Sequence, residues 1–394
     1  MISKRIFASL PFLRNPSNWK VFGLNSQIKR NVSQSKIPKI SINSKVSRIC
    51  AMMGGGLALG YGVVYCSKKV IQSKSTLLAD SIERPKFKIS REIYNEADQS
   101  GLKITLYQYQ TCPFCCKVRA FLDYHGLSYN VIEVNSVKQT QIKWSTYRKV
   151  PIVVLEGIGQ NGYIQLNDSS VIISLLSTHL RHPDVSIEKL VTYYPTLKSM
   201  NDKGKTVFEH PNKYFVMNFS DLPEEKMKAG KKERIWREWA DSVLVHMLSP
   251  NIYRTPIEAL QAFNHFDEVG NWEQNFSKFE RLVVIYVGAA AMFIIGKVLK
   301  RRYDLKDDVR LSLYEACNHW TRELKKQSTK FMGGNLPNLA DLAVYGVLSS
   351  IEGCKAFEDT LENTDISQWY YDTKNIAVNR TKCPTVGLLD KKHA

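Results

Sequence analysis

Not one aspartate or glutamate occurs among the first 79 residues, although that stretch holds 13 lysines and arginines. The whole chain carries +18, so taking away those 13 leaves only +5 for the remainder. The basicity belongs to a leader rather than to a folded face, and nucleic-acid binding loses its electrostatic argument. Cysteine is sparse as well, 8 in 394 residues. That excludes a disulfide-stapled secreted scaffold and points to a reducing setting, where a Cys-x-x-Cys is catalytic or ligand-binding. There is no second Cys-x-x-Cys and no histidine pair at finger spacing, so no metal site is expected.

What is present divides the chain. Residues 1–48 are basic, rich in Ser and Asn, and read as a targeting leader, with a plain disordered tail as the alternative. Residues 49–66, ICAMMGGGLALGYGVVYC, are uncharged and lie between Arg48 and Lys68-Lys69. They are just long enough for a single transmembrane anchor, and membrane helices tolerate their glycines. A cleaved sorting sequence is the competing reading. Residues 67–100 show no period and read as a linker.

The rest is organised around YQYQTCPFCCKVRAFL, Tyr107 to Leu122. Leu102 to Tyr109 alternates like a strand, and Val118, Phe121 and Leu122 recur at helical spacing, so Cys112-Pro-Phe-Cys115 falls at a strand-to-helix turn. A thiol there faces unpaired backbone N–H groups and the positive end of the helix dipole, which favour thiolate. Lys117 and Arg119 add positive charge, and Pro113 is tolerated early in a helix. Two inert core cysteines are the plainer reading. Strands follow at 127–134, at 149–155 with Pro151 at its start, and at 163–166; Asn167 to Ser170 then cap a helix. Lys143 to Tyr147 reads as a short polar helix end. The order βαβ then ββα forms an α/β module over residues 101–200, with the Cys-x-x-Cys turn, Val150-Pro151 and Asp168-Ser169 on consecutive connections at one end of the sheet.

From 201 to 375 the pattern is helical. Val207 to Gly230 is polar and irregular, a loop or insertion. Ile235 to Leu260 has helical spacing interrupted by Pro250 and Pro256. Leu282 to Gly296 is apolar but short for a bilayer and reads as a buried core helix, closed by Lys297, Lys300, Arg301 and Arg302. Two further amphipathic helices cover 309–325 and 338–351, the second opened by a cap at Asn338 with Asp341 three residues on. Residues 376–394 read as a tail.

An α/β thiol module followed by a helical domain resembles glutaredoxins and glutathione transferases. The segments YQYQTCPFCCKVRAFLDYHGL, YRKVPI, QLNDSSVIIS, TYYP, SPNIYRTPIEAL and PNLADLAVYG resemble, more closely, the membrane-associated prostaglandin E synthase type 2 family over residues 100–375. The resemblance implies an α/β thioredoxin-like domain followed by an all-α glutathione-transferase-like domain, usually in a homodimer, and isomerisation of prostaglandin endoperoxide H to prostaglandin E. It implies glutathione, and heme held together with glutathione, as cofactors. It implies membrane attachment at the Golgi or the mitochondrion, with a soluble part released to the cytoplasm. Cys112 matches the essential thiol and Tyr109 its neighbouring hydroxyl; Cys115 stands where some members carry Ser. Val150, followed by Pro151, matches the backbone that pairs with glutathione, and Asp168 and Ser169 match the pair at its γ-glutamyl end. Cys116 is an extra thiol able to form a disulfide. For heme the positions are His246, Ser249 and Arg302, with Val298 where a second basic residue stands in the family; a lone His at an apolar position is otherwise a core residue. Two alternatives remain: a membrane-tethered heme and glutathione binder that degrades the endoperoxide or acts as sensor or scaffold, and a glutaredoxin-like thiol–disulfide oxidoreductase with Cys115 as resolving thiol.

Overall fold

The apolar residues of the central strands alternate between two faces of one sheet. The computed structural model describes residues 85–159, 162–200 and 206–380. The expected leader at 1–48, the anchor at 49–66 and all of the expected 376–394 tail except 376–380, which is helical, lie outside the described residues. The sheet has the order β1-β3-β2-β4-β5, from β1 (Arg91–Ile93), β2 (Lys103–Gln108), β3 (Tyr129–Glu133), β4 (Ile152–Glu156) and β5 (Tyr163–Asn167). β2 runs parallel to β3 and antiparallel to β4, which pairs antiparallel with β5. Leu106, Val153 and Leu155 face the main core, whereas Tyr107, Ile152 and Val154 join Trp144 and the Cys-x-x-Cys thiols in a second cluster on the other face.

Between the strands lie α1 (Pro113–Tyr124), α2 (Ser169–Arg181) and α3 (Ile187–Thr192). The helical domain comprises α4 (Glu224–Trp239), a five-residue π-turn (Ala240–Leu244), α5 (Val245–Ile252), α6 (Pro256–Val269), α7 (Trp272–Asn275), α8 (Lys278–Arg302), α9 (Val309–Gln327), α10 (Leu339–Ser349), α11 (Lys355–Asn363) and α12 (Ile366–Arg380). One continuous core runs from the sheet through α1 and α2 into these helices. The α/β thiol module and the helical domain that follows it are both present.

Five details depart from the pattern reading. The expected linker already carries β1, paired antiparallel with β3; three residues are too few to show a period. The polar stretch at 207–230 is ordered: β7 (Thr206–Glu209) pairs with β6 (Leu197–Met200), and α4 begins at Glu224. Pro250 sits inside α5 without ending it, and Pro256 starts α6. The 3-10 turn is at Thr140–Ile142, ahead of the expected 143–147. Finally, the stretch expected as a buried core helix is the 25-residue α8, which buries one face only. By length and composition α8 is able to cross a bilayer, but its buried face packs on α5 and α6.

Candidate active site

Cys112 is the N-cap of α1, with Pro113 as the first helical residue. Its backbone N–H donates to Tyr109 O at 3.1 Å, and its own carbonyl accepts from Cys116 N at 2.8 Å. The thiol is fully buried. Burial pushes it up, but the Cys115 thiol, the backbone N–H groups of Cys115 and Phe114, and the Arg119 charge all pull the other way. The balance holds Cys112 below its ordinary value. Burial and the neighbouring Cys112 push Cys115 well above its own. Two thiols three residues apart are thereby shifted in opposite directions. Cys116 is raised too, by burial, and all three cysteines are free.

The two basic residues after the motif part company. Arg119 stays at the site: it donates to Gln108 Oε1 at 2.6 Å, to Gln110 O at 2.8 Å and to Cys116 Sγ at 3.1 Å. Lys117 points into the domain junction, where its ammonium is buried against Asp241 and donates to Ser170 Oγ at 3.3 Å. Asp241 neutralises that charge. It also accepts from Ser170 Oγ at 2.7 Å and Tyr214 Oη at 3.0 Å.

The β2–β4 ladder ends at Tyr107 opposite Ile152. Val150, joined to Pro151 by a cis peptide bond, lies just beyond it, so its backbone is placed for an extended peptide to continue the pairing. Asp168 caps α2, its carboxylate accepting from Ser170 N at 2.9 Å and Val171 N at 3.3 Å, and Ser169 is the buried first residue of that helix. A helix N-terminus of this kind suits a carboxylate. Cys112, Val150-Pro151 and Asp168-Ser169 thus occupy successive connections at one end of the sheet.

Tyr147 escaped the pattern reading. Its phenol lies against the Asp168 backbone within electrostatic reach of Cys112 and Cys115, and burial raises its pKa so that it stays protonated. Only its place four residues before Pro151 marked it in the sequence. Tyr109 is buried and its hydroxyl accepts from Gln139 Nε2 at 3.4 Å. A narrow cleft between the domains opens beside it, lined by Gln110, Glu133, Ser136, Phe266, Trp272 and Phe276. The Ser136 hydroxyl there is buried without a partner.

The heme positions gather less well. His246 stacks on Tyr303 at 4.2 Å and 14°, and burial, then Arg302, lowers its pKa. Ser249 is buried one turn on, its hydroxyl unpartnered, on a stretch of α5 close to Gly296 of α8. Tyr303 lies flat on one face of the imidazole, and Val298 stands exposed. No group of three metal-ligating side chains occurs among the described residues.

Strand order, cis-proline and a Cys-x-x-Cys capping the first helix define a glutaredoxin-type thiol domain fused to a helical domain, and the glutaredoxin family profile matches residues 104–158. The chain is 52% identical over 275 residues to prostaglandin E synthase 2 of Danio rerio, covering 69% of this chain and 70% of that one. To prostaglandin E synthase 2 of Mus musculus it is 52% identical over 276 residues, 69% of each. A poplar glutathione transferase F7 structure superposes with TM-score 0.39 at 14% identity, over 71% of this chain and 97% of that one. The chain belongs to the prostaglandin E synthase 2 family.

Proposed function

We propose that the chain is a glutathione-binding prostaglandin E synthase that isomerises prostaglandin endoperoxide H to prostaglandin E. The observation that carries the reading is the opposite tuning of Cys112 and Cys115, which leaves one nucleophile beside one protonated thiol. The Cys112 thiolate attacks one oxygen of the weak O–O bond; an S–O bond forms and the other oxygen leaves as an alkoxide. The alkoxide takes a proton from a phenol, Tyr109 or Tyr147. The resulting phenolate then takes the hydrogen on the carbon bearing the sulfur-bound oxygen as a proton, the C–H electrons form the ketone, and the S–O bond breaks to return the thiolate. No electrons are gained or lost overall. Val150, Asp168 and Ser169 hold glutathione, and the cleft beside Tyr109 takes apolar parts of the lipid. Residues 49–66 tether the protein to a membrane.

Supplying the endoperoxide with glutathione and separating the products tests this reading. Prostaglandin E formed well above the uncatalysed yield is the expected result. Reduction of glutathionylated peptides without such a yield transfers the site to the glutaredoxin-like alternative.

A further inference from the structure

In the cleft beside Tyr109 the Ser136 hydroxyl is buried and has no hydrogen-bond partner among the described residues. A buried hydroxyl left that way is uncommon enough to call for a reason. The backbone around it is pinned. Asn135 Oδ1 accepts from Val137 N at 3.0 Å and from Lys138 N at 2.8 Å, and Gln139 N donates to Asn135 O at 2.8 Å. Lys138 then ties the loop to the start of α8 through Glu280 at 2.6 Å. A fixed main chain leaves the serine its side-chain rotamers alone, and a hydroxyl with no bond to break turns at little cost toward a polar atom that enters. The helical domain supplies an aromatic wall, Phe266, Trp272 and Phe276, the last two with ring centroids 5.5 Å apart. An alkyl chain carrying a neutral polar group suits such a lining.

Charge narrows the choice further. The ionisable acid in the lining is Glu133, which accepts from Gln108 Nε2 at 2.6 Å and from Arg91 at 3.1 Å. No lysine or arginine lines the cleft among the described residues. A carboxylate at a chain end would meet another carboxylate there and no free cation, so it is disfavoured. Resting on the isomerase reading above, the substrate's own chemistry supplies the rest. Prostaglandin endoperoxide H carries the peroxide, a carboxylate ending one chain and a secondary alcohol within the other. With the peroxide at Cys112 and the carboxylate kept out, the alcohol is the group left for Ser136. We infer that Ser136 sets substrate specificity: its hydroxyl hydrogen-bonds the secondary alcohol, and the alkyl end beyond it packs on Phe266, Trp272 and Phe276. An endoperoxide without that alcohol is rejected because it leaves the serine hydroxyl unpaired. Apolar contacts alone discriminate poorly between chains that differ by one oxygen.

Calorimetric binding of two stable analogues, with carbon in place of the peroxide oxygens, provides the test. One analogue keeps the side-chain alcohol and the other has hydrogen there. With the full chain in detergent micelles and glutathione present, the native protein is expected to bind the alcohol at least about tenfold more tightly. Ser136→Ala is expected to bind both alike, at the affinity that the native protein shows for the analogue without the alcohol. That shared affinity also shows the cleft of the variant to be intact. With the endoperoxide itself, the KM of Ser136→Ala is expected to rise by a similar factor. Equal or absent binding of the two analogues by the native protein, or a preference that survives Ser136→Ala, overturns the assignment. If that protein still forms prostaglandin E, the isomerase reading stands without it. A preference abolished by Ser136→Ala in a protein that forms no prostaglandin E supports Ser136 as the ligand's partner and overturns the isomerase reading alone.

Discussion

Lys117 and Arg119 are both cations two residues apart on α1, yet only one tunes the reactive thiol. Successive helix positions two apart point to different sides: Arg119 to Gln110 and Cys116, Lys117 into the junction with Asp241. The sequence counted both charges toward Cys112, and nothing in a Lys-x-Arg pair tells which is neutralised by a residue 124 positions away. Alkylation of Cys112 against pH reports the difference. A depressed thiol reacts fully above its pKa and loses reactivity as pH falls through it. The midpoint is expected below that of free cysteine and is expected to move up in Arg119→Gln. Lys117→Met is expected to leave it in place. The paired cysteines themselves were legible, because a strand-to-helix turn announces itself through two periodicities. Tyr147 was not, since no local pattern marks a side chain that reaches Asp168 across the fold.

Among the elements, α10 carries the strongest local signature, and the structure keeps it. Asn338 and Asp341 form the reciprocal capping box read from their spacing. Its buried extension was beyond sequence: Asp341 also accepts from Met332 N at 3.0 Å, Gly333 N at 3.1 Å and Trp369 Nε1 at 2.9 Å. Burial raises its pKa to about 6 even so. An acid whose folded pKa lies above the unfolded one binds protons more tightly when folded, so this group's contribution falls as pH rises from about 4 to 6 and is flat above. Asp341→Ala is expected to cost about 3 kcal/mol, measured by denaturant unfolding, because several buried N–H groups lose their acceptor together. The polar segment after β7 illustrates the opposite case. It lacks a period because its order comes from outside: Ser174 Oγ donates to Lys213 O at 2.6 Å, Arg237 to Tyr214 O at 3.0 Å and Tyr194 Oη to Phe215 O at 2.9 Å. Backbone acceptors pinned by distant side chains leave no trace in local composition.

Across the whole molecule, what matters is how the thiol helix is held against the helical domain. α1 packs most extensively on α10, and Gly346 makes this possible: a Cβ there meets Lys117 Cα at 2.5 Å and Lys117 N at 2.7 Å, backbone atoms that cannot step aside. Gly346→Ala is expected to cost about 3 kcal/mol by overpacking and to move α1 relative to α2. Beside this contact, Asp241 on the π-turn joins Lys117 of α1 to Ser170 of α2, and π-turns inserted in helices recur at functional sites. Removing one member of a buried pair strands the other. Asp241→Asn is therefore expected to destabilise by about 3 kcal/mol, while Lys117→Met combined with Asp241→Asn costs less than the two single changes summed, as thermal unfolding of the three variants will show. The division into a thiol domain and a helical domain was readable from the change of period. The junction that joins them was not, because it is built from pairs far apart in the chain.

The most direct measurement is the rate of prostaglandin E formation from the endoperoxide by the native protein, Cys112→Ser and Cys115→Ser, with glutathione present. Loss of at least a hundredfold in Cys112→Ser, with Cys115→Ser within a few-fold of native, is the outcome the single-thiolate account predicts. Equal loss in both variants contradicts it and requires a dithiol mechanism.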